Sequence, residues 1–217
     1  MTDYSGQITT PAQPNIGNPG DIYDRLFFSQ TLSNIGNYAN RVTNSLAALF
    51  GPRGGKYLNS PYGAFQDSTD QVAANTTTAY AITFDTTDFS NGVTLSNSSR
   101  LNVSQSGIYN VQFSIQFTNT TNASQDVDVW FRKNGTNIDK SNSRFGFAPR
   151  KGVGDPFHTI AAMNFFVSMN ANDYVEIMWR TTDVGVSIEQ YAAGTSPTRP
   201  SIPSAIVTLS FVSNLSV

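Results

Sequence analysis

The sequence contains no cysteine, which excludes a disulfide scaffold, a thiolate metal site and a cysteine nucleophile. Charged residues are also scarce, at 13% of 217 residues, about half the usual ~25%. The net charge is −2, so the clustered Lys and Arg that bind nucleic-acid phosphates are missing. No apolar run approaches the roughly 20 residues that cross a bilayer. Residues 1–5 lack the basic and apolar regions of a signal peptide. We therefore expect no nucleic-acid binding, no membrane insertion and no secretion.

The composition divides the chain into an N-terminal anchoring segment, residues 1–56, and a domain over residues 57–217. Residues 1–20 contain three prolines and three glycines and have no apolar period, which predicts an irregular arm. Such an arm cannot bury enough surface to order itself, so it is either disordered or laid across another protein. In the second case we expect its capsid-anchoring residues to be Tyr4, Ile8, Ile16, Ile22 and Tyr23.

Residues 21–50 predict one amphipathic helix. Asp21 can cap its N-terminus, and Gly51-Pro52 ends it. Apolar residues follow one another in alternating steps of four and three, the heptad spacing of a coiled coil. This spacing predicts self-association along a helix seam, or alternatively packing of the helix on its own C-terminal domain. The helix seam consists of Phe28, Leu32, Ile35, Ala39, Val42, Leu46 and Leu49.

From about residue 57 onward, short runs alternate between apolar and polar residues, as β-strands do. The clearest run covers residues 108–117, and residues 160–167 are almost continuously apolar, which predicts a central strand covered on both faces. Further strands are predicted at 78–84, 100–104, 127–131, 174–180, 184–188 and 206–212. Turn pairs such as Asn134-Gly135 and Asn172-Asp173 separate the runs. This spacing predicts a mainly β protein with an antiparallel sandwich or jelly roll.

Two segments resemble complement-C1q/tumour-necrosis-factor-like jelly rolls. Residues 100–113 (RLNVSQSGIYNVQF) resemble the stretch in which a small residue and Gly precede the Tyr that opens a long core strand. Residues 169–177 (MNANDYVEI) resemble a turn and strand of that family, with Asn172 where Gly is usual. The resemblance covers residues 57–213 and implies a homotrimer. It places in the trimer core Tyr109, Phe113, Phe117, Phe165, Val207 and Phe211.

The chain departs from the animal members of that family, which are secreted and carry disulfides, calcium ligands or a collagen stalk. Residues 84–89 (FDTTDF) and the loops rich in Asn and Thr look instead like jelly-roll knobs in structural proteins of tailed bacteriophages. That resemblance implies a virion protein assembled in the bacterial cytoplasm. The absence of cysteine agrees with this reducing compartment.

The sequence offers little chemistry for catalysis. His158 is the only histidine, and no Gly-x-Ser-x-Gly nucleophile elbow accompanies it, so we interpret it as a hydrogen-bonded structural residue. Asp126 and Asp128 share one strand face. Calcium sites usually have more oxygen ligands, so a solvated face is the stronger interpretation. We therefore expect no enzyme activity, no catalytic residue, no metal and no cofactor.

Together these patterns predict a non-enzymatic virion protein: a trimeric knob whose N-terminal arm attaches it to the phage major capsid protein or another virion protein, as head decoration or cement. The alternative is the receptor-binding tip of a short phage tail or head fibre that contacts host surface glycans. For that alternative, residues in two long loops are the candidate receptor contacts: Arg144, Arg150, Lys151 and Tyr191.

Overall fold

A computed structural model describes residues 25–50 and 60–213 of the chain. The helix and the β-strands belong to two separate compact units. The predicted anchoring residues of the arm lie outside the described residues, as do the predicted cap at Asp21 and the side chain of Leu49.

The helix, α1, extends over Arg25–Phe50. It ends directly before Gly51-Pro52, because proline cannot continue a helix and glycine favours its C-terminus. The side chains of the helix seam are largely solvent-exposed: Leu32 is 56% exposed and Leu46 49%, and Val42 is half-buried. An exposed apolar stripe on a helix is the arrangement that helix–helix pairing would cover. The seam therefore stays a prediction.

Sixteen strands follow in the described residues, eight central and eight peripheral. The peripheral strands are β2 (Gln71–Val72), β3 (Tyr80–Ala81), β4 (Thr86–Asn91), β5 (Val93–Ser96), β9 (Thr136–Asn137), β13 (Val186–Ile188), β14 (Gly194–Thr195) and β15 (Thr198–Arg199). The central strands are β1 (Tyr62–Asp67), β6 (Arg100–Val103), β7 (Gly107–Asn119), β8 (Gln125–Lys133), β10 (Ser143–Phe147), β11 (Phe157–Met169), β12 (Tyr174–Thr181) and β16 (Ala205–Ser213).

The strands form two large antiparallel sheets and one small ribbon, β14-β15. The first sheet has the order β2-β13-β7-β16-β1-β4, and β11 pairs with β7. In the register of this sheet Phe113 is the partner of both Met163 and Val207, so β11 and β16 lie on opposite edges of β7. The second sheet has the order β10-β8-β12-β6-β5, with β9 on β8 and β3 on β12. The chain is therefore mainly β with a single helix among the described residues, as predicted.

The two sheets pack face to face through aromatic side chains, in keeping with the alternation seen in the sequence. Phe117 of the first sheet lies 5.7 Å from Trp179 of the second, measured between ring centroids, and 5.3 Å from Phe147. Phe113 lies 5.9 Å from Phe131 in the same way. All of these rings are less than 5% exposed. One continuous core thus lies between the sheets.

Turn chemistry sets the ends of several strands. Asn134 and Gly135 both have positive φ, at 49° and 82°, which is the two-residue hairpin geometry that the pair predicts between β8 and β9. Asn172 has φ of 71°, a left-handed conformation that Gly and Asn tolerate best. This backbone requirement explains why Asn, which tolerates the left-handed region better than most residues, fits at this position.

Three predictions about strands need correction. Residues 160–167 were expected in a strand covered on both faces, yet β11 pairs with β7 alone and exposes Ile160 and Phe166 by 58% each. The run 78–84 yields only Tyr80–Ala81 as strand. Arg144 lies on β10 rather than in a long loop, because β10 completes the edge of the second sheet beside β8.

Candidate functional site

The outward surface of the first sheet is almost free of charge. Its three longest strands, β7, β11 and β16, comprise 13, 13 and 9 residues without one Asp, Glu, Lys or Arg. Their inward residues fill the core, so the alternate positions form the opposite surface, here called the uncharged face. The residues that define the uncharged face are Asn110, Gln112, Ser114, Ile160, Phe166 and Ile206. Protein interfaces are depleted of charge at their centres in the same way.

The residues predicted for a trimer core do not lie on the uncharged face. Tyr109 and Val207 are 0% exposed, and Phe113 and Phe117 at most 4%, all between the two sheets of a single chain. Phe165 and Phe211 are half-buried and pack against the same core. These residues form the core of the single chain instead, because alternation gives two faces without saying which one faces the partner sheet.

Tyr109 anchors one end of this core. Its hydroxyl donates a hydrogen bond to the Gln105 carbonyl at 2.7 Å, and burial raises its pKa to about 12. The ring of Phe211 meets it edge-on at 5.6 Å. The Ser-Gly-x-Tyr segment of the sequence therefore holds a loop onto the core through a buried phenol.

The four candidate receptor residues occupy separate positions. Arg150 donates to the Thr120 carbonyl at 3.3 Å, and Lys151 lies 4.0 Å from Asp155. Arg144 pairs with Asp128 on the second sheet, and Tyr191 belongs to a cluster on the first. Within the described residues, no hydrogen bond or ion pair joins any two of the four, so the structure does not gather them into one site.

His158 lies at the end of the uncharged face in a cluster of hydrogen bonds. Its Nδ1 lies 2.7 Å from Tyr191 Oη and 3.1 Å from Thr118 Oγ1. Burial raises the pKa of the Tyr191 hydroxyl, so it keeps its proton and can donate to Glu189 Oε2 at 3.2 Å. Thr118, whose hydroxyl is the second one within hydrogen-bond distance of the imidazole, is fully buried and out of reach of a substrate. The hydrogen-bonded structural role expected for His158 fits this geometry.

The outward surface of the second sheet, in contrast, carries paired charges. Asp128 on β8 is 4% exposed and lies between Arg144 of β10 and Arg180 of β12 in one cross-strand row. Arg144 Nε donates to Asp128 Oδ1 at 2.8 Å, and one terminal guanidinium nitrogen of Arg180 lies 2.6 Å from Oδ2. The hydrogen bond from Arg144 holds the pKa of Asp128 below its usual value. The expectation of a solvated face is therefore wrong for Asp128, a buried carboxylate that is covered by two partly exposed arginines.

We predict that the arginine clamp on Asp128 stabilises the protein in a pH-dependent way. Because the folded pKa of Asp128 lies below its ordinary 3.8, the stabilisation is complete above that pH and is lost as the pH falls through the folded pKa. Asp128→Asn should lower the free energy of unfolding in urea by about 1–3 kcal/mol at pH 7. The difference from wild type should shrink at pH values below 3.8.

Asp155→Asn is the matched control, since Asp155 is 62% exposed and lies 4.0 Å from Lys151. An exposed pair of this kind contributes little, so its variant should unfold like the wild type at every pH. An Asp128→Asn difference that is equally large at pH 7 and at about pH 2 would contradict the role assigned to the clamp.

A groove lies beside the clamp on the same surface, with a volume of about 420 Å³. It is lined by Asp128, Trp130, Asn137, Ile138, Asp139, Lys140, Asn142 and Arg180. Trp130 Nε1 donates a hydrogen bond to Asn137 Oδ1 at 2.8 Å, which fixes the orientation of the indole on strand β8. No pattern in the sequence predicts this groove. The available signal was a tryptophan on the polar face of a strand. The sequence does not show that β9 and the loop after it lie beside this tryptophan and complete the groove.

In residues 25–50 and 60–213, no three His, Cys, Asp or Glu side chains are grouped to hold a metal ion. No helix in this part of the chain is long and apolar enough to cross a membrane. No protein-family model matches the sequence, and no curated protein matches it. The two outward surfaces are therefore the features of the structure that bear on function.

Proposed function

We propose that the protein is a non-enzymatic structural component of a phage particle, in which three copies assemble through the uncharged face and the N-terminal segment attaches the trimer to the capsid. The observation that carries the self-association is that β7, β11 and β16 lack charge while exposing Phe166 and Ile160 by 58% each. Covering these two side chains would contribute roughly 1–2 kcal/mol each per copy.

The order of strand pairing supports a jelly roll of the C1q/TNF-like kind. Taking the eight central strands in chain order, the first pairs with the last (β1 with β16) and the second with the seventh (β6 with β12). The third pairs with the sixth (β7 with β11) and the fourth with the fifth (β8 with β10). In a jelly roll, one long hairpin folds over so that its nested strand pairs are divided between two sheets. The four pairs follow this organisation. The threefold assembly itself is taken from the family resemblance.

A particle role follows from how such a trimer would be attached. An arm of 20 residues spans up to ~65 Å when extended at ~3.3 Å per residue, so it can cross a neighbouring subunit and add a strand to its edge. Three arms on one trimer bind together and multiply the effective affinity. The assignment to a phage rests on the resemblance of residues 84–89 and of the loops rich in Asn and Thr.

The second candidate is a receptor-binding tip of a short tail or head fibre. The groove beside Trp130 favours it, because a decoration protein has no need of a polar, aromatic-lined cavity on the surface that faces away from the uncharged face. The two roles predict different copy numbers: decoration requires hundreds of copies per particle, and a fibre only a few to dozens.

Removal of residues 1–20 tests the anchoring role. We expect the truncated protein to stay folded and trimeric, because residues 61–213 contain the whole sandwich core, and to be absent from purified particles. Particle composition by gel densitometry and imaging of intact particles measure this, with the full-length chain as control. Normal incorporation of the truncated chain would contradict arm-mediated attachment.

A further inference from the structure

We propose that the groove beside Trp130 binds a neutral saccharide. This inference concerns a different surface from the proposed trimer contact and does not depend on the particle role. The groove's volume, about 420 Å³, falls within the range of small-molecule sites. It opens on the outward surface of the second sheet between β8, β12 and the loop that follows β9.

The walls of the groove are held in place before any ligand arrives. Ser141, 2% exposed, donates its hydroxyl to the Ile138 carbonyl at 2.8 Å and accepts the Phe131 amide at 3.1 Å. The loop over residues 138–142 is thereby fixed to strand β8. On the other side, Arg180 is held against Asp128 at 2.6 Å. A pre-organised cavity loses little conformational entropy on binding, which favours weak ligands such as single sugars.

The indole of Trp130 supplies the apolar surface. Its only hydrogen-bond donor is already satisfied by Asn137 at 2.8 Å, so what the half-buried ring offers a ligand is its carbon surface. The face of an aromatic ring carries partial negative charge. The C–H groups on one side of a pyranose ring carry partial positive charge, and they stack on such a surface.

The polar groups around the indole suit hydroxyl groups. Asp139, Lys140 and Asn142 are exposed at the groove, and among the described residues none of their side chains has a hydrogen-bond or ion-pair partner. Asp139 supplies a hydrogen-bond acceptor, Lys140 a donor, and the Asn142 amide both. Neighbouring hydroxyl groups of a sugar likewise both donate and accept hydrogen bonds. The lining holds two carboxylates and two cationic groups. A neutral ligand fits this balance better than a phosphate, which needs an excess of positive charge.

Lys140 gives a variant that tests the groove without disturbing the fold. Its φ is 60°, a left-handed conformation that is strained for a lysine and that glycine adopts freely. Lys140→Gly should therefore keep or raise the melting temperature while removing the ammonium group from the groove. Trp130→Ala removes the stacking surface. Lys151→Ala is the matched control, since Lys151 is a 59% exposed loop lysine outside the groove.

The experiment is saturation-transfer NMR on the full-length protein with methyl glycosides of glucose, galactose, mannose and N-acetylglucosamine. We expect at least one glycoside to bind with a Kd on the order of millimolar. Lys140→Gly should weaken it at least about fivefold and Trp130→Ala should abolish it, while Lys151→Ala leaves it unchanged.

Three results overturn the proposal. The first is the absence of saturable transfer to all four glycosides in the folded protein. The second is binding that survives Lys140→Gly and Trp130→Ala undiminished. The third is displacement of the glycoside by millimolar inorganic phosphate, which assigns the groove to anions. Because the protein is used without any particle, failure here leaves the proposed particle role intact.

Discussion

Phe166→Asp should convert the proposed trimer into folded monomers. Phe166 is 58% exposed on β11, beside Asn110 in the register of the first sheet, and strands β7, β11 and β16 contain no Lys or Arg to pair with a new carboxylate. Burying an unpaired carboxylate between copies costs several kcal/mol, which corresponds to at least about a hundredfold weaker association. Analytical ultracentrifugation should show a fall from about three times 23.6 kDa to a single chain.

Val153→Asp is the control for this result. Val153 is 92% exposed in the loop between β10 and β11, so its variant should sediment like the wild type. The double variant Ile35→Asp, Val42→Asp applies the same measurement to the helix seam and should weaken trimers if the helix contributes to them. A wild-type chain that sediments as a monomer at micromolar concentration, or a Phe166→Asp trimer as tight as the wild type, would contradict assembly through the uncharged face.

Phe117→Ala should have the largest effect on stability and no selective effect on assembly. Its ring is 1% exposed and lies within 6 Å of Phe147 and Trp179, so truncation leaves a cavity at the centre of the sandwich. The expected loss is about 3–5 kcal/mol in the free energy of unfolding. Thermal unfolding followed by circular dichroism, at a fixed chain concentration, measures it.

The control for this prediction is Phe117→Leu, which keeps most of the volume and should lose about 1.5 kcal/mol or less. If Phe117→Ala dissociated the trimer while leaving each chain as stable as before, Phe117 would belong to a contact between copies. The same comparison therefore tests whether the inward aromatic residues of β7 belong to the core of one chain or to a contact between copies.

The two sheets use their outward surfaces differently. The three longest strands of the first sheet have no charged residue. The second sheet instead places Asp128 and Glu176, each about 4% exposed or less, against arginines of neighbouring strands. A surface with clamped charges is costly to desolvate further, whereas an uncharged surface with exposed phenylalanine is cheap to cover. This difference is why we propose the first sheet, and not the second, as the contact between copies.

The apolar run 160–167 illustrates how a correct signal led to a wrong structural prediction. Continuous apolarity does mean that both faces of a strand avoid water. In β11 one face lies on the core, while Ile160 and Phe166 on the other remain exposed in the single chain. The sequence shows that the outward face of β11 is apolar. A periodic pattern does not show whether such a face is covered by another layer of the same chain or by a second copy.

Several features follow from local sequence alone, because their causes are local. Alternation over β7 and the end of the helix before Gly51-Pro52 depend on backbone geometry within a few residues, as do the Asn134-Gly135 hairpin and the left-handed Asn172. The lack of charge and cysteine likewise needs no structure. What only the tertiary structure decided is which face of each strand lies inside, that Asp128 stands between arginines 16 and 52 residues away along the chain, and that Trp130 borders a groove. These depend on the pairing of strands distant in sequence, where a shift of register by one residue exchanges the two faces.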